Sequence, residues 1–463
     1  MQRDLLKAKF STLPQLAALD EQGNELGEGE EGVDIPARVA VEAEHDDDDD
    51  DEEDEEERDY FPSSLPIRGS ITSNRPRHLI GSGRTTKDYS PLTAERYFTS
   101  ALEVDVEESS STFRVYYTPP VPTGASTSTR PNNDDDFPSG GEDTDGARTI
   151  FVCVHGAGYS GLAFACLAQQ VTEKSRAKVG VLSYDARGHG QSCKMGVKHP
   201  ETDLLGFDLS ESWSFLCASG KTKASAEDMS LERLVQDLID LLKQMFKTAD
   251  SSSPPPNFIL VGHSMGGAVV STACNRIQAE IGTVIGVVVI DVVEGTAIDA
   301  LASMGSIVAA RPKGFPSIEN AIEWHVRTKT LNNLASARIS VPPLLYLDPS
   351  AQDDEQQSSR TKYLWRANLS STEPFWRGWF TNLSSKFLSC RCAKLLLLAG
   401  AETLDTELMI GQMQGKYQLE VITQSGHCVQ EDHPGQTADL LLSFWQRNDR
   451  TDILKGVKKV GQV

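Results

Sequence analysis

The stretch "NFILVGHSMGGAVV", residues 257–270, decides the fold. Four apolar residues run into a Gly-x-Ser-x-Gly sequence, and small residues follow it. A buried strand that turns sharply into a helix is the context in which strained backbone exposes a serine hydroxyl as a nucleophile. Gly262 and Gly266 would leave room for the close approach of strand and helix. The sequence therefore predicts that Ser264 is a nucleophile.

The segments on both sides of this stretch alternate between strands and helices. An apolar/polar alternation at residues 102–108 and 112–118 predicts a hairpin first. Ser225 and Asp228 are predicted to form a capping box before one of the later helices. Continuous apolar strands alternating with helices indicate an α/β fold, with a mostly parallel central sheet and helices on both faces. The predicted strands are 149–156, 179–190 with its terminal turn, 257–264, 284–291, 393–400 and 418–423, and the predicted helices are 162–175, 231–245, 265–278 and 436–447.

Charge and composition divide the chain of 463 residues, whose net charge is −23. Twelve consecutive acidic residues, Asp46–Glu57, supply about half of that charge. We expect residues 1–85 to be a disordered acidic tail and residues 86–463 to form the folded domain. Residues 119–148, rich in Gly, Ser, Pro and Asp, are expected to be a flexible insertion. Because no basic stripe offsets the acidity, nucleic acid is not expected as a partner.

Cysteine usage and hydropathy bear on the compartment. Eight cysteines are scattered without paired metal-ligand spacing, and the one close pair is Cys390 and Cys392. This pattern favours reduced thiols in a reducing compartment. The first residues lack the apolar core of a signal peptide, and no apolar run approaches the roughly 20 residues of a membrane span. We therefore expect a cytoplasmic and/or nuclear protein that does not interact with membranes.

A long interval separates the predicted strands 284–291 and 393–400. Residues of about 295–390 are predicted to be a lid inserted over the carboxyl edge of the sheet. Four of the six tryptophans lie in this interval. Aromatic residues there either form the core of the lid or contact the substrate, and Trp376 and Trp379 are the candidates for contact.

A serine nucleophile needs a base and an acid that orients the base. His427 follows a Ser-Gly turn directly after the last predicted strand, which is where the base is expected. His433 is the alternative, but it precedes a proline and is expected at the start of the last helix. The acid follows the serine in chain order, and Asp291 satisfies this condition. Residues 402 and 405, a Glu and an Asp, follow the next strand and satisfy it equally, so the residues alone leave the acid open.

An oxyanion hole needs two amide donors. The first is the backbone N–H of Met265, directly after the serine. The second is expected in "HGAGYS", residues 155–160, where Gly156 and Ala157 are the candidates. His155 is expected to hold this loop in place. The turn "DARGHGQS", residues 185–192, is interpreted as structural.

Several longer stretches resemble the protein phosphatase methylesterase family of α/β-hydrolases. They are "GHSMGGAVV", "VIDVVEGTAIDAL", "RPKGFPSIENAIEW", "LLLLAGAETLDTELMIGQMQGKYQ" and "SGHCVQED", and the resemblance extends over about residues 85–447. It implies an α/β-hydrolase fold with Ser264 as nucleophile, Asp291 as acid and His427 as base. Ala157 departs from the pattern, because the family usually has a third glycine of a His-Gly-Gly-Gly loop at this position.

The resemblance also implies a reaction. Members of this family remove the methyl ester from the C-terminal leucine carboxylate of the catalytic subunit of the type 2A protein phosphatase. That subunit is then the expected partner, and neither a metal nor an organic cofactor is expected. Two alternatives remain. The first is a lipase or small-molecule esterase of the same fold, which a wholly apolar lid would favour. The second is a non-catalytic binding protein on a hydrolase scaffold, which loss of the serine or histidine would indicate.

Overall fold

The predicted strands pair into a single mostly parallel sheet in the computed structural model. The structure describes residues 87–121, 148–191, 193–194, 228–246, 255–348, 361–400 and 404–449. The first two strands, β1 (Ser100–Val106) and β2 (Ser111–Thr118), pair antiparallel, with Leu102 opposite Val115. The predicted hairpin is therefore present at nearly the expected residues.

The central strands of the sheet are buried along almost their whole length, as parallel strands covered by helices must be. Within the described residues the sheet order is β1-β2-β4-β3-β6-β7-β11-β12, and β5 pairs with β2. Every neighbouring pair from β4 to β12 is parallel. The described strands after β2, including β8, β9 and β10 of a separate small sheet, are β3 (Thr149–Val154), β4 (Val179–Tyr184), β5 (Cys193–Lys194), β6 (Asn257–His263), β7 (Val284–Ile290), β8 (Gly314–Phe315), β9 (Leu345–Leu347), β10 (Tyr363–Trp365), β11 (Ala393–Leu398) and β12 (Gln418–Val421).

Helices cover both faces of this sheet. On one face α1 and α11 bury Leu167, Leu441 and Phe444 against it, and on the other α2 and α3 bury Leu238 and Ile277. The α/β-hydrolase architecture predicted from the sequence is confirmed. The described helices are α1 (Ala165–Ser175), α2 (Leu231–Phe246), α3 (Met265–Glu280), α4 (Glu294–Ala310), α5 (Ile318–Arg327), α6 (Leu334–Ser340), α7 (Glu373–Phe380), α8 (Leu383–Ser389), α9 (Thr406–Met413), α10 (Val429–Asp432) and α11 (Pro434–Asn448).

The segment between β7 and β11 contains α4 to α8 and a small antiparallel sheet of order β8-β10-β9. Its apolar cluster includes Phe315, Ile322 and Leu345, and Cys428 from the loop that carries His427 belongs to the same cluster. The inserted lid therefore packs on the loop of the candidate base.

The start of α2 differs from the prediction. The helix begins at Leu231, and the Ser230 hydroxyl accepts a hydrogen bond from the Arg233 N–H at 3.3 Å. Ser230 thus caps the helix, and Asp228 accepts from the Ser230 N–H instead of forming a capping box. Ser225 lies outside the described residues, as do the predicted tail 1–85 and most of the insertion 119–148. Among the described helices none is long and apolar enough to cross a membrane.

Candidate active site

Ser264 stands at the turn between β6 and α3, and its backbone is strained. Its φ is 52° and its ψ is −121°, a region that residues with a side chain rarely occupy. The glycines on either side permit this turn. A Cβ at Gly262 would lie 2.2 Å from the Gly266 carbonyl oxygen, and one at Gly266 would lie 2.1 Å from the Val154 carbonyl oxygen. Any larger residue would push strand and helix apart, so the Gly-x-Ser-x-Gly pattern follows from this packing.

Asp291, a candidate acid, and His427, the candidate base, are in direct contact. The Nδ1 atom of His427 and Oδ2 of Asp291 are 2.7 Å apart, and the Ala399 N–H donates to Oδ1 at 2.7 Å. Asp291 directly follows β7 and is 2% exposed. With both carboxylate oxygens engaged, the group is fixed toward the imidazole. It thereby favours the tautomer in which Nδ1 carries the proton and Nε2 can act as a base.

Asp405, the other candidate acid that the structure describes, has a different role. Its Oδ1 accepts from the Leu408 N–H at 2.9 Å and its Oδ2 accepts from the Ser384 hydroxyl at 2.5 Å. It caps α9, while Glu402 lies outside the described residues. The alternative base, His433, is the N-terminal cap position of α11. The structure therefore brings His427 together with Asp291 and leaves Asp405 and His433 at helix starts.

The loop after β3 lies against the elbow. A Cβ on Gly156 would come within 3.1 Å of the Ser264 Cβ. The Gly158 N–H donates to His189 Nε2 at 2.9 Å, and the Tyr159 N–H donates to the Gly156 carbonyl oxygen at 3.3 Å. With those two amides engaged, Gly156 and Ala157 are the amides that this loop can offer to an oxyanion. Across the site, the Met265 N–H belongs to the first turn of α3, where amides have no partner within the helix.

Two buried histidines, His155 and His189, hold the loop that follows β3. His155 Nδ1 donates to the Gly156 carbonyl oxygen at 2.7 Å, and its Nε2 accepts from the Ala186 N–H at 2.9 Å. Burial lowers the pKa of His155 to about 3, so the ring stays neutral at physiological pH. Asp185 Oδ1 accepts from the Gly161 N–H at 2.7 Å, and burial raises the pKa of this carboxyl to about 6. The turn residues Asp185, Ala186 and His189 therefore hold the loop in position.

Comparison with known proteins gives the site its family. Residues 151–440 match the model of the alpha/beta hydrolase family. The chain is 42% identical to a protein phosphatase methylesterase 1 of Cryptococcus neoformans, over 82% of this chain and 83% of that protein. It is 38% identical to the protein of the same name from Aspergillus fumigatus, over 85% of this chain and 81% of that protein.

The chain belongs to the protein phosphatase methylesterase family of α/β-hydrolases. A third relative of the same name, from Yarrowia lipolytica, is 37% identical over 81% of this chain and 78% of its own length. Among solved structures, E-2-(acetamidomethylene)succinate hydrolase matches with a TM-score of 0.50 at 16% identity. That match covers 75% of this chain and 99% of the hydrolase, and it shows the shared fold alone.

Several residues of this methylesterase-family site were missed by the sequence analysis. His263, directly before the nucleophile, donates from Nε2 to the His427 carbonyl oxygen at 2.9 Å. The rings of His263 and His427 lie 4.7 Å apart. Burial and the neighbouring His427 ring keep the pKa of His263 well below its usual value. It is therefore a neutral donor that positions the loop of the candidate base beside the elbow, and its place next to Ser264 was the signal available.

Asp432 is a second missed residue. Its Oδ2 accepts from the Gly426 N–H at 2.8 Å, and both oxygens accept from Asn332 of the lid at 2.7 Å. One carboxylate thus joins the lid to the residue before His427. In this family member the lid and the loop of the base are coupled through a buried side chain.

The assignment of Trp376 and Trp379 to substrate contact requires correction. Trp376 is 4% exposed and donates from Nε1 to the Thr372 hydroxyl at 2.8 Å. Trp379 is fully buried and donates to the Met229 carbonyl oxygen at 2.7 Å. Both indoles belong to the apolar cluster beneath the lid, so they pack the core and offer no surface to a partner. Separately, no group of three or more His, Cys, Asp or Glu side chains in the described ranges is arranged to hold a metal ion.

Glu431 is a buried carboxyl in α10, directly after the loop that carries His427. It should make the stability of the protein depend on pH. Neither of its oxygens has a hydrogen-bond partner in the described residues, and burial raises its pKa to about 8 from an ordinary 4.5. Between these values the folded state holds a proton that the unfolded state releases. This contribution to stability is therefore complete below pH 4.5 and is lost as the pH rises toward about 8.

The substitution Glu431→Gln should remove this dependence, because an amide of the same shape has no proton to lose. We expect the free energy of unfolding to rise by about 1–3 kcal/mol at pH 7.5 and by much less at pH 5. Denaturant unfolding at the two pH values measures both numbers. The exposed Glu407→Gln on α9 is the matched control. Destabilisation of Glu431→Gln by the same amount at both pH values would contradict a protonated, unpaired carboxyl.

Proposed function

We propose that this chain is a serine carboxylesterase that demethylates the C-terminal leucine methyl ester of the type 2A protein phosphatase catalytic subunit. The observation that carries the proposal is the 2.7 Å pairing of Asp291 with His427, in a methylesterase-family chain whose elbow presents Ser264. The reaction is acyl transfer in two steps, and each step needs only side chains and backbone amides of this chain.

In the first step Ser264 attacks the ester carbonyl. His427 takes the hydroxyl proton on Nε2, while Asp291 stabilises the imidazolium through Nδ1. The carbonyl oxygen becomes an oxyanion, which the amides of Met265 and of Gly156 or Ala157 stabilise. His427 then returns the proton to the leaving methoxide, and methanol departs. The leucine acyl group remains bound to the Ser264 oxygen.

In the second step water replaces methanol. His427 removes a proton from a water molecule, and the hydroxide attacks the acyl carbon. The bond to Ser264 oxygen breaks, and the proton returns to Ser264. The products are a free C-terminal carboxylate and the regenerated serine. We place this reaction in the cytoplasm and/or the nucleus, in accordance with the scattered thiols.

The proposed substrate is an intact protein, and this has a measurable consequence. The lid is coupled to the loop of the base through Asn332 and Asp432. A folded partner that contacts the lid can therefore use remote binding energy to align His427. We expect kcat/KM to be at least about 100-fold higher for the methylated intact subunit than for its free methylated C-terminal peptide. Loss of the ester is followed by mass spectrometry of the C-terminal fragment.

Variants distinguish recognition of the partner from packing of the lid. Since Trp379 is fully buried, Trp379→Ala should lower turnover of the intact subunit and of a small chromogenic ester by the same factor. A peptide processed as efficiently as the intact subunit would show that the site reads the tail alone. A Trp379→Ala variant that loses only the reaction on the intact subunit would restore this indole to partner recognition.

One observation favours the second candidate, a lipase or small-molecule esterase. The lid helix α4 has no fully buried residue: Ile298, Leu301 and Met304 are half-buried against the core, and Ile307 is 39% exposed. An apolar lid surface of this kind suits an apolar acyl chain. Nitrophenyl esters of increasing chain length decide between the two. Rising kcat/KM with acyl length, together with no activity on the methylated phosphatase, would favour the lipase.

A further inference from the structure

Three thiols meet where the parallel strands begin, at the edge of the sheet opposite to Ser264. Cys274 lies on α3, and Cys390 and Cys392 stand on either side of Arg391 just before β11. The Sγ atoms of Cys274 and Cys392 are 3.6 Å apart, although the two residues are 118 positions apart in the chain. The fold therefore brings two reduced cysteines within contact of each other.

The two thiols differ in acidity. The pKa of Cys392 is lowered by its hydrogen bond with the Cys274 thiol and by the nearby Lys394 ammonium group. The pKa of Cys274 is raised by its hydrogen bonds to the thiols of Cys390 and Cys392 and by burial. The thiolate is the nucleophilic form of cysteine. Cys392 is thus the thiol of the pair that reacts first, and Cys274 is the thiol that reacts with it afterwards.

The two thiols also differ in access. Cys390 and Cys392 both line a surface cavity of about 480 Å³, together with Arg391 and Lys394, but Cys392 is half-buried whereas Cys390 and Cys274 are buried. Lys394 Nζ donates to the carbonyl oxygens of Cys390 and Cys392 at 2.8 and 3.0 Å, which holds the ammonium group at this position. A small solute in the cavity therefore reaches Cys392 more readily than either of the two buried thiols.

We propose that Cys392 and Cys274 form a peroxide-reactive dithiol that closes to a disulfide. The Cys392 thiolate attacks one oxygen of hydrogen peroxide, the O–O bond breaks, and hydroxide leaves, which gives a sulfenic acid at Cys392. The Cys274 sulfur then attacks the sulfenic sulfur. An S–S bond forms, the S–O bond breaks, and hydroxide leaves with the Cys274 proton as water. Two thiols lose two electrons, and the peroxide is reduced to water.

The geometry allows this closure with a small movement. A disulfide has an S–S distance of about 2.05 Å, so the sulfurs, now 3.6 Å apart, must approach by about 1.5 Å. Cys392 precedes the first residue of β11, so its backbone can move without breaking the pairing of β11 with β7. The cross-link would then join the helix that begins after Ser264 to the strand that leads to Ala399.

The other described thiols are poorly placed for this reaction. Cys390 donates from Sγ to the carbonyl oxygens of Ser271 and Lys386 at 3.4 Å each. Burial raises the pKa of Cys153, Cys166 and Cys428, so little thiolate is available at these residues. The pair of Cys392 and Cys274 is therefore expected to oxidise before them.

Peptide mapping of the full-length protein tests the pairing. The reduced protein is treated with hydrogen peroxide, alkylated and digested with trypsin. Cleavage after Arg391 separates Cys390 from Cys392, so each cross-link is assigned unambiguously. We expect a dithiothreitol-sensitive peptide that joins Cys274 to Cys392. The cross-link should persist in Cys390→Ser and disappear in Cys392→Ser. Circular dichroism of each variant establishes that it folds.

A second measurement follows the intermediate. In Cys274→Ala/Cys390→Ser neither neighbouring thiol remains to resolve the sulfenic acid, so dimedone labelling at Cys392 should increase several-fold over Cys390→Ser. Equal labelling in the two proteins would overturn the proposal. So would a cross-link between Cys274 and Cys390, or peroxide treatment that leaves Cys274 and Cys392 fully alkylated while other cysteines oxidise.

Discussion

Replacement of Ser264 by alanine is expected to abolish ester hydrolysis, with a loss of at least about 10⁴-fold in kcat. The variant keeps the backbone of the elbow but loses the only oxygen that can carry the acyl group at this turn. Turnover of a small chromogenic ester measures the loss, and circular dichroism verifies the fold. Ser271→Ala is a matched control. Ser271 lies on α3, the helix that directly follows Ser264, and its hydroxyl donates to the Gly267 carbonyl oxygen.

Covalent labelling tests the same assignment without relying on turnover. A serine-directed fluorophosphonate should modify the wild type at Ser264 and leave Ser264→Ala unlabelled. Ser271→Ala should be labelled as the wild type is. Persistent labelling of Ser264→Ala at another serine, accompanied by residual turnover, would contradict the role of the elbow.

Asp291→Asn is expected to lower kcat by about 10⁴-fold, because an amide presents the wrong partner to His427 Nδ1 and favours the unproductive tautomer. The carboxylate now receives the imidazole at 2.7 Å and the Ala399 N–H at 2.7 Å, and an asparagine can reproduce only part of this arrangement. Steady-state kinetics on a small ester give the effect on the chemical step.

Asp405→Asn is the matched control for that substitution. Asp405 caps α9, and asparagine is an equally good residue at such a position. Its kcat should therefore stay within about twofold of the wild type. Equal losses in Asp291→Asn and Asp405→Asn, or a larger loss in Asp405→Asn, would return the acid to the segment after β11.

Local sequence was sufficient to predict the parts of the site and fold that depend on the local backbone. The elbow needs small residues on both sides of Ser264. Gly262 and Gly266 each lie two positions from it in the chain, so the motif could be recognised directly. The strands β3, β6, β7 and β11 were predictable for a similar reason. Each is a continuous apolar run bounded by turn residues, and a run of this kind has few alternatives in an α/β chain.

Sequence alone could not decide between residues that only the fold separates. Asp291 and Asp405 both follow strands, and which of them reaches His427 depends on the packing of β7 beside β11. The same applies to Trp379, whose Nε1 finds the Met229 carbonyl oxygen 150 positions away. An indole can serve as core or as contact surface, and its burial is set by distant residues. The roles of His263 and Asp432 likewise depend on hydrogen bonds that cross the whole domain.

Hydrolysis in water labelled with oxygen-18 tests the central claim most directly. The methylated phosphatase catalytic subunit is incubated with this chain in labelled water under single-turnover conditions, and the C-terminal peptide and the methanol are analysed by mass spectrometry. The proposed acyl-enzyme at Ser264 predicts that the leucine carboxylate loses its methyl group and gains one oxygen-18 atom, while the methanol stays unlabelled. An ester that survives the incubation, or oxygen-18 in the methanol, would contradict the proposed function.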